Sequence, residues 1–233
     1  MYARETGGRT LTFGVSGNLI MNGLVMYDHQ TDSLWSQVLG EAVRGPLEGR
    51  RLEVLPALRT TWSSWLELYP DTTALDKGGG FKRDKYTIYY SISRAGLQGE
   101  WRKDDRLGAK ELVLGLESGG EARAYPFGRL EEEPLVNDRF QGRPVLVVFD
   151  AGSETGVVYD RRLDDRVLTF RLEHRRGGPG AMMVDRETGT RWTAVTGEAV
   201  EGELAGARLD RVPSHYSFWF AWKDYHPETE VYQ

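Results

Sequence analysis

The chain contains no cysteine. Disulfide bonds, a thiol nucleophile and cysteine-bound metal are therefore excluded, and the redox compartment is left open. No apolar run approaches the roughly 18 residues that a membrane-spanning helix needs. Positive charge is in short supply: 30 Lys and Arg against 35 Asp and Glu give a net charge of −5. A phosphate backbone is held by clustered Lys and Arg, so nucleic acid is not an expected partner. The four histidines (His29, His174, His215, His226) show no HxH or HExxH spacing that would mark a metal centre. A phosphate-binding glycine loop is missing as well, because Gly78–Gly80 is not followed by Lys-Ser/Thr and a helical pattern. The opening MYARETGG lacks the basic-then-apolar pattern of an export signal, so none is expected in the chain as it stands.

What is present suits a packed, turn-rich protein. Apolar residues make up 39% and aromatics 11%, and 28 glycines with 9 prolines are spread evenly along 233 residues. That length fits one large domain or two small ones, burying roughly 70–75% of the unfolded surface. The most informative feature is a repeat. WSQVLGEAVRGPLEGRRLEVLP, Trp35 to Pro56, returns as WTAVTGEAVEGELAGARLDRVP, Trp192 to Pro213, displaced by 157 positions (192 − 35 = 157). In this register Leu11–Leu75 lies against Leu168–Tyr232, with about a third of the positions identical, several times the chance level. The chain reads as an internal duplication.

Each copy is β-rich up to its proline. Leu11–Val15, Leu24–Tyr27 and Leu34–Leu39 read as strands, the last two flanking the turn DHQTDS; the second copy has DRETGT there, with Gly189 suited to a left-handed hairpin position. Glu41–Val43 and Arg51–Leu55 are further short strands. The period then changes: Trp62, Trp65, Leu66 and Tyr69 stand on one face of a short helix ended by Pro70. Trp219 and Trp222 repeat that spacing, with Phe218 and Tyr225 extending the face before Pro227. These helices are expected to plug their own lobe's sheet; an aromatic binding platform is the alternative.

Between the copies, Asp76–Arg106 is expected to be a long surface excursion with a short strand at Thr87–Ser91. Glu111–Leu116 and Glu121–Tyr125 flank a strong hairpin signal, and the apolar run Pro144–Phe149 reads as a central strand, with another beginning at Gly156–Tyr159. The second copy thus has a strand-rich lead-in, Glu111–Val167, where the first has ten residues. The first lobe is expected to start downstream of its natural beginning or to be completed by something else.

Several stretches carry a resemblance: LTFGVSG (Leu11–Gly17), MYDHQTDSLWSQVLGEAVRGPLEGRRLEVLP (Met26–Pro56), YPDT (Tyr69–Thr72), DDRLGAKELVLGLE (Asp104–Glu117), AYPF (Ala124–Phe127), VND (Val136–Asp138) and FWFAW with HPETEVY (Phe218–Tyr232). Together they resemble domain-of-unknown-function family 3179 over nearly the whole chain. The resemblance implies a fold and assigns no reaction. Members usually start further upstream, often behind an export or lipoprotein segment, and commonly carry a Cys-Pro-Leu-Cys motif before the equivalent of Tyr2–Arg4. This chain lacks that motif, and the corresponding place in the second unit, Phe149–Gly156, has no cysteine. No thiol or metal role carries over.

Residues kept in both copies are expected to hold the fold, and single-copy residues are freer to form a site. Glu41 and Glu198 share the GEAV position and could act as acid and base; the structural alternative is that each accepts backbone N–H bonds at its turn. Ser16, Asn18, His29, Ser36 and Gln37 are replaced by Glu173, Arg175, Arg186, Thr193 and Ala194 in the second copy, leaving the first lobe polar where a ligand could sit. Ser16 lacks the strand–turn–helix context of a nucleophile elbow. In the middle segment, Arg83, Asp84, Lys85 and Tyr86, then Asp104, Asp105, Arg106 and Lys110, either fix the excursion across the lobes or line a cleft. In the second case Tyr86, Arg106 and Lys110 would hold an anionic group.

The expected fold is α+β and mostly β. It has a first lobe at 1–76, an inter-lobe excursion at 77–110 and a second lobe at 111–233, related by a pseudo-twofold axis and forming one compact domain. Each lobe is an antiparallel sheet or partial barrel with a Trp-bearing helix. The expected function is binding of a small polar molecule or peptide segment at the inter-lobe cleft, with Tyr86, Arg106, Lys110, Asn18 and His29 as ligand contacts. An enzyme using Glu41, Ser16 and Gln37, hydrolytic or metal-assisted, is the second reading. A module completed by a partner chain or a second copy is the third. No metal site or cofactor is assigned, and the compartment is open.

Overall fold

In a computed structural model, residues 1–76, 78, 86–173 and 180–233 are described. The expected residues Arg83, Asp84, Lys85 and His174 lie outside them. The first lobe opens with β1 (Glu5–Thr6) and β2 (Arg9–Thr10), followed by an antiparallel sheet β3–β4–β5–β6 (Phe13–Ile20, Gly23–Asp28, Leu34–Ser36, Glu41–Arg44). Helix α1 (Trp62–Leu68) and helix α2 (Thr87–Ser91) lead to the hairpin β7 (Leu112–Ser118) and β8 (Glu121–Pro126). After α3 (Phe127–Glu132) come β9 (Leu135–Phe140), β10 (Arg143–Asp150) and β11 (Thr155–Asp160), a three-stranded sheet with β10 in the middle. Next are β12 (Arg162–Leu163) and β13 (Arg166–Val167), then the antiparallel sheet β14–β15–β16–β17 (Phe170–Leu172, Met182–Asp185, Arg191–Thr193, Ala199–Glu201). Strand β18 (His215–Phe218) returns to pair with β7, α4 (Trp219–Tyr225) follows, and β19 (Glu230–Val231) adds in parallel to β8. The class is α+β, mostly β. Among the described residues no helix is long and apolar enough to cross a membrane.

The continuous apolar run of β10 follows from burial on both faces. Val145, Val147 and Phe149 enter a core with Leu114, Leu116 and Tyr125 of the β7–β8 hairpin. Leu146 and Val148 point the other way, into a core with Trp192, Met183 and Leu209 of the second lobe. The sheet β9–β10–β11 is therefore the middle layer of the molecule.

The same bonds recur at an interval of 157 residues. The buried Asp28 carboxylate accepts from Trp35 Nε1 at 2.9 Å and from Thr31 N at 2.6 Å; Asp185 accepts from Trp192 Nε1 at 2.9 Å and from Thr188 N at 2.6 Å. Burial is the largest single effect and pushes Asp28 up, but the hydrogen bonds together outweigh it and hold the carboxyl below the usual carboxylate range. Trp65 Nε1 reaches Thr72 Oγ1 and Trp222 Nε1 reaches Thr229 Oγ1, both at 2.9 Å. The correspondence also runs nine residues further upstream than Leu11. Tyr2 and Tyr159 donate their hydroxyls to Val38 O and Val195 O, and β1 and β2 match β12 and β13. Each tyrosine ring covers a glycine: a Cβ on Gly40 would stand 2.3 Å from Tyr2, and one on Gly197 2.6 Å from Tyr159. The glycine of GEAV leaves room for that ring and takes the left-handed backbone, φ 63° and 71° in the two copies.

Three expectations need correction. Thr87–Ser91 is a helix, because Lys110 Nζ bonds the carbonyls of Tyr89 and Ile92 at its C-terminal end, while Tyr89 and Tyr90 pack on Phe218. That tertiary context overrides the β propensity of Ile and Tyr. Arg51–Leu55 is not a strand but makes single bridges, Glu41 to Arg51 and Tyr2 to Val54. Finally, the two Trp-bearing helices are not equivalent plugs. In α4, Trp219 and Trp222 are buried against Val113, Ala122 and Ala124 of the β7–β8 hairpin, and Tyr225 donates to Ile20 O of the first lobe. The first copy has no counterpart of the β7–β8 hairpin among the described residues, and Trp62 of α1 stays 53% exposed. Leu58 and Leu68 lean instead on the second-lobe core. Each helix thus reaches toward the other lobe.

The excursion between the lobes is pinned over residues 98–102 by both lobes. Asn22 of the first lobe bonds Gln98 N at 2.8 Å and Gly99 O at 2.8 Å. The buried Asp224 of α4 accepts from Trp101 N and Arg102 N at 3.0 and 2.9 Å, and the buried Lys223 ammonium stands 3.1 Å from Glu100.

Candidate functional site

Most of the candidate residues are occupied by internal partners. Glu41 pairs with Arg51 at 2.7 Å, and Glu198 pairs with Arg208 at the same distance, so both glutamates bind the arginine across their hairpin rather than turn N–H groups. Ser16 donates to Val25 O at 2.6 Å and receives Asn18 N at 3.2 Å, inside an irregular stretch of the β3–β4 ladder. Asn18 is exposed, as is His29, whose ring stands edge-on to Tyr27. Arg106 forks onto Asp104 and donates to Thr229 O at 2.9 Å while its guanidinium covers the Trp219 ring. Asp104 is lowered and Arg106 raised in pKa chiefly by this mutual bonding. Lys110 caps α2 as described above. These two cations fasten the excursion, and among the described residues no cavity is seen that both of them line.

Two of the candidates do meet. Gln37 and Tyr86 line an open hollow of about 700 Å3 between the first sheet, the excursion and α4. Its walls are chiefly apolar and include the rings of Tyr89, Phe218, Phe220 and Tyr225.

A smaller cavity, about 400 Å3, lies where the first lobe meets the edges of the sheets that follow it. The first lobe contributes Val38, Leu39, Arg51, Leu52 and Val54. Opposite stand Glu117 and Ser118 at the end of β7, the β9–β10 turn at Gln141, and the run into β18 that ends at His215. The pairing of β18 with β7 sets His215 against Gly115, two residues from Glu117 and on the same side of the strand. On that side Trp222 lies flat over Gly115, where a Cβ would stand 2.3 Å from the ring. Its indole packs against His226 with ring centroids 4.1 Å apart, and His226 Nε2 stands 3.6 Å from Glu117.

Burial sets the charge of this group. It depresses His226 to about 4, and it lowers His215 against the opposing pull of Glu117, so both imidazoles are neutral at pH 7. The contact of His226 with Glu117 is therefore not an ion pair at neutral pH. Burial first, and the Glu117 charge second, push the Tyr2 hydroxyl up to about 12. The cavity wall carries a carboxylate and a neutral imidazole beside Arg51, Ser118, Gln141 and Arg143 and the apolar side chains of the first lobe, an arrangement suited to recognising a polar group. No cluster of three or more His, Asp or Glu positioned to hold a metal ion occurs among the described residues.

A family model described as a protein of unknown function, DUF3179, matches residues 1–229. The chain belongs to the DUF3179 family. No curated protein and no solved structure matches it. For this DUF3179 chain the cavity residues Glu117 and His215 escape sequence reasoning because they lie 98 positions apart (215 − 117 = 98) in no recognised motif. The usable signal was weak: Glu117 closes the hairpin motif GLESGG, and His215 begins the stretch that departs from its counterpart Leu58.

Proposed function

We propose that this protein binds a small molecule carrying polar groups in the cavity between its lobes. The observation that carries the reading is a cavity of about 400 Å3 in which Val38, Leu39, Leu52 and Val54 of one lobe face Glu117 and His215 of the other, with Arg51, Ser118, Gln141 and Arg143 completing a mixed lining. A concave site with convergent polar groups is a usual form of a small-molecule site. The bonds shared at an interval of 157 residues support descent of the two lobes from one duplicated unit, with the cavity formed where the copies differ.

The test is native mass spectrometry of the purified chain followed by ligand screening by thermal shift, in parallel with Val54→Phe. Val54 lines the cavity and is only partly buried, so the larger ring is expected to fill the space and abolish binding without unfolding the chain. Ligands that stabilise both proteins equally would refute the reading.

A second reading, completion by a partner chain, rests on one contrast. In the second lobe the outer edge of β14 is closed by Asn137, whose amide both donates to Phe170 O and accepts from Phe170 N at 2.8 Å. No matching bond is made at the counterpart Phe13 among the described residues, and Val15 on that strand is 68% exposed. A dimer in the same native spectra that dissociates on Val15→Lys would support it.

A further inference from the structure

We propose that the molecule held in the inter-lobe cavity is an organic amine, bound as its ammonium form by the Glu117 carboxylate; this rests on reading the cavity as a binding site. Among the described residues, Glu117 is the charged residue on the cavity wall that has no ion-pair partner of fixed opposite charge. Arg51 is joined to Glu41 through Nε at 2.8 Å and Nη2 at 2.7 Å, and Arg143 is joined to Asp160 at 2.8 Å. Each is a neutral pair. His215 on the wall and His226 behind it carry no charge at pH 7, for the burial already given. The Met1 amino group adds a positive charge close enough to depress His215 slightly. Among the described residues, Glu117 has no Lys or Arg partner; its one ionisable contact is the neutral His226 at 3.6 Å.

The Glu117 side chain is 27% exposed, so water in the cavity solvates it when no ligand is present. A ligand that fills the cavity displaces that water and must replace its bonds, or leave a desolvated carboxylate behind. An ammonium group does so with charge-assisted bonds. An alcohol supplies one weaker donor, and a carboxylate ligand adds repulsion. His215, as neutral imidazole, can offer a ring nitrogen lone pair to a further N–H of the same amine. The walls from Val38, Leu39, Leu52 and Val54 call for an apolar body behind the amine.

The experiment is isothermal titration of the full chain at pH 7 with three probes of one shape: phenethylamine, 2-phenylethanol and phenylacetate. Wild type is expected to bind the amine at least ~10-fold more tightly than the alcohol, which is about 1.4 kcal/mol, and phenylacetate most weakly. Glu117→Gln keeps the shape of the side chain and is expected to bring amine and alcohol to equal affinity, with the melting temperature unchanged. If amine and alcohol bind wild type equally and Val54→Phe abolishes both, the amine assignment fails while the binding site stands. Tightest binding of phenylacetate, or an amine preference that survives Glu117→Gln, also overturns it. If none of the three probes binds, the cavity reading fails and takes the amine assignment with it.

Discussion

Trp62 and Trp219 occupy the same position of the repeat, yet the structure gives them different weights. Trp219 is fully buried against the β7–β8 hairpin, its indole N–H donates to Asp104 O at 3.2 Å, and the Arg106 guanidinium covers its face at 5.1 Å. Burying about 200 Å2 of indole at ~25 cal/mol per Å2 is worth up to about 5 kcal/mol, and large-to-small changes at such sites cost about 3–5 kcal/mol. Trp62 is 53% exposed and so realises about half of that transfer at most. Truncation there removes little packing, and we expect Trp62→Ala to cost about 1 kcal/mol or less. In urea titrations followed by far-UV circular dichroism, Trp219→Ala should lower the midpoint severely or leave the chain unfolded, while Trp62→Ala should lie close to wild type. Equal losses for the two variants would refute the claim that α4 is a structural plug and α1 is not. A large loss at Trp62 alone would mean that its exposed face is covered in solution.

Two further predictions concern the layer beneath the cavity. Gly115→Ala places a methyl group 2.3 Å from the Trp222 ring, which is buried and held by its bond to Thr229; overpacking of about 2 kcal/mol should lower Tm by roughly 4–8 °C. The control Gly128→Ala, at an exposed position of α3 where the nearest neighbour would be Glu111 Oε1 at 3.6 Å, should melt at or slightly above wild type. An unchanged Tm for Gly115→Ala would show that the indole is free to move. The second prediction is a pH dependence. His226 takes up its proton at about 4 in the folded chain but near 6.5 when unfolded, so the unfolded state binds more protons between those values. Stability is full above about 6.5, falls as pH drops toward 4 and levels off below it, a loss of at most about 3 kcal/mol for this group. His215 acts in the same direction. Replacing His226 with Phe should flatten the curve of unfolding free energy against pH in that window without abolishing the slope, and an unaltered slope would assign the effect elsewhere.

Local pattern and the repeated stretches made most of the fold legible. Alternation and turn chemistry located the β7–β8 hairpin, and the all-apolar Pro144–Phe149 marked a strand covered on both faces, because burial alone fixes such a run. The retained tryptophans Trp35 and Trp192 are indeed core, each bonded to a buried aspartate seven residues earlier. That aspartate resembled an ordinary turn residue, since its partner is a side chain whose position only the folded hairpin determines. The α3 helix, the β9 strand and the earlier start of the repeat at Tyr2 were not legible. Tyr2 and Arg4 recur as Tyr159 and Arg161, but β1 and β2 are two residues each, too short for a period to show. Among the site candidates, sequence reasoning favoured polar residues present in one copy only. Many of those, Ser16 and Lys110 among them, satisfy nearby backbone groups, and nothing in a single sequence separates a side chain bonded to its own fold from one kept free for a ligand. Gln37 and Tyr86 do share a hollow.

The position of the cavity follows from the inequality of the two lobes. In the second lobe Val195 and Leu209 are sealed into the core shared with Leu146, Val148 and Tyr159 of the middle sheet. Their counterparts in the first lobe, Val38 and Leu52, meet the same sheet from another side, at Phe140, Arg143 and Val145, together with the end of β7. A surface whose counterpart in the second lobe fits one face of the sheet is thereby set against edges and turns that it does not match. Close packing cannot be completed there, and the polar ends of strands, Glu117 and His215, are what the mismatch leaves facing apolar side chains. A second-lobe substitution at Val195 or Leu209 should therefore act through packing of the middle sheet. Changes at Val38 and Leu39, by contrast, alter the volume and shape of the cavity, so on the proposed binding function the first lobe is the place to seek variants that change binding while leaving the fold intact.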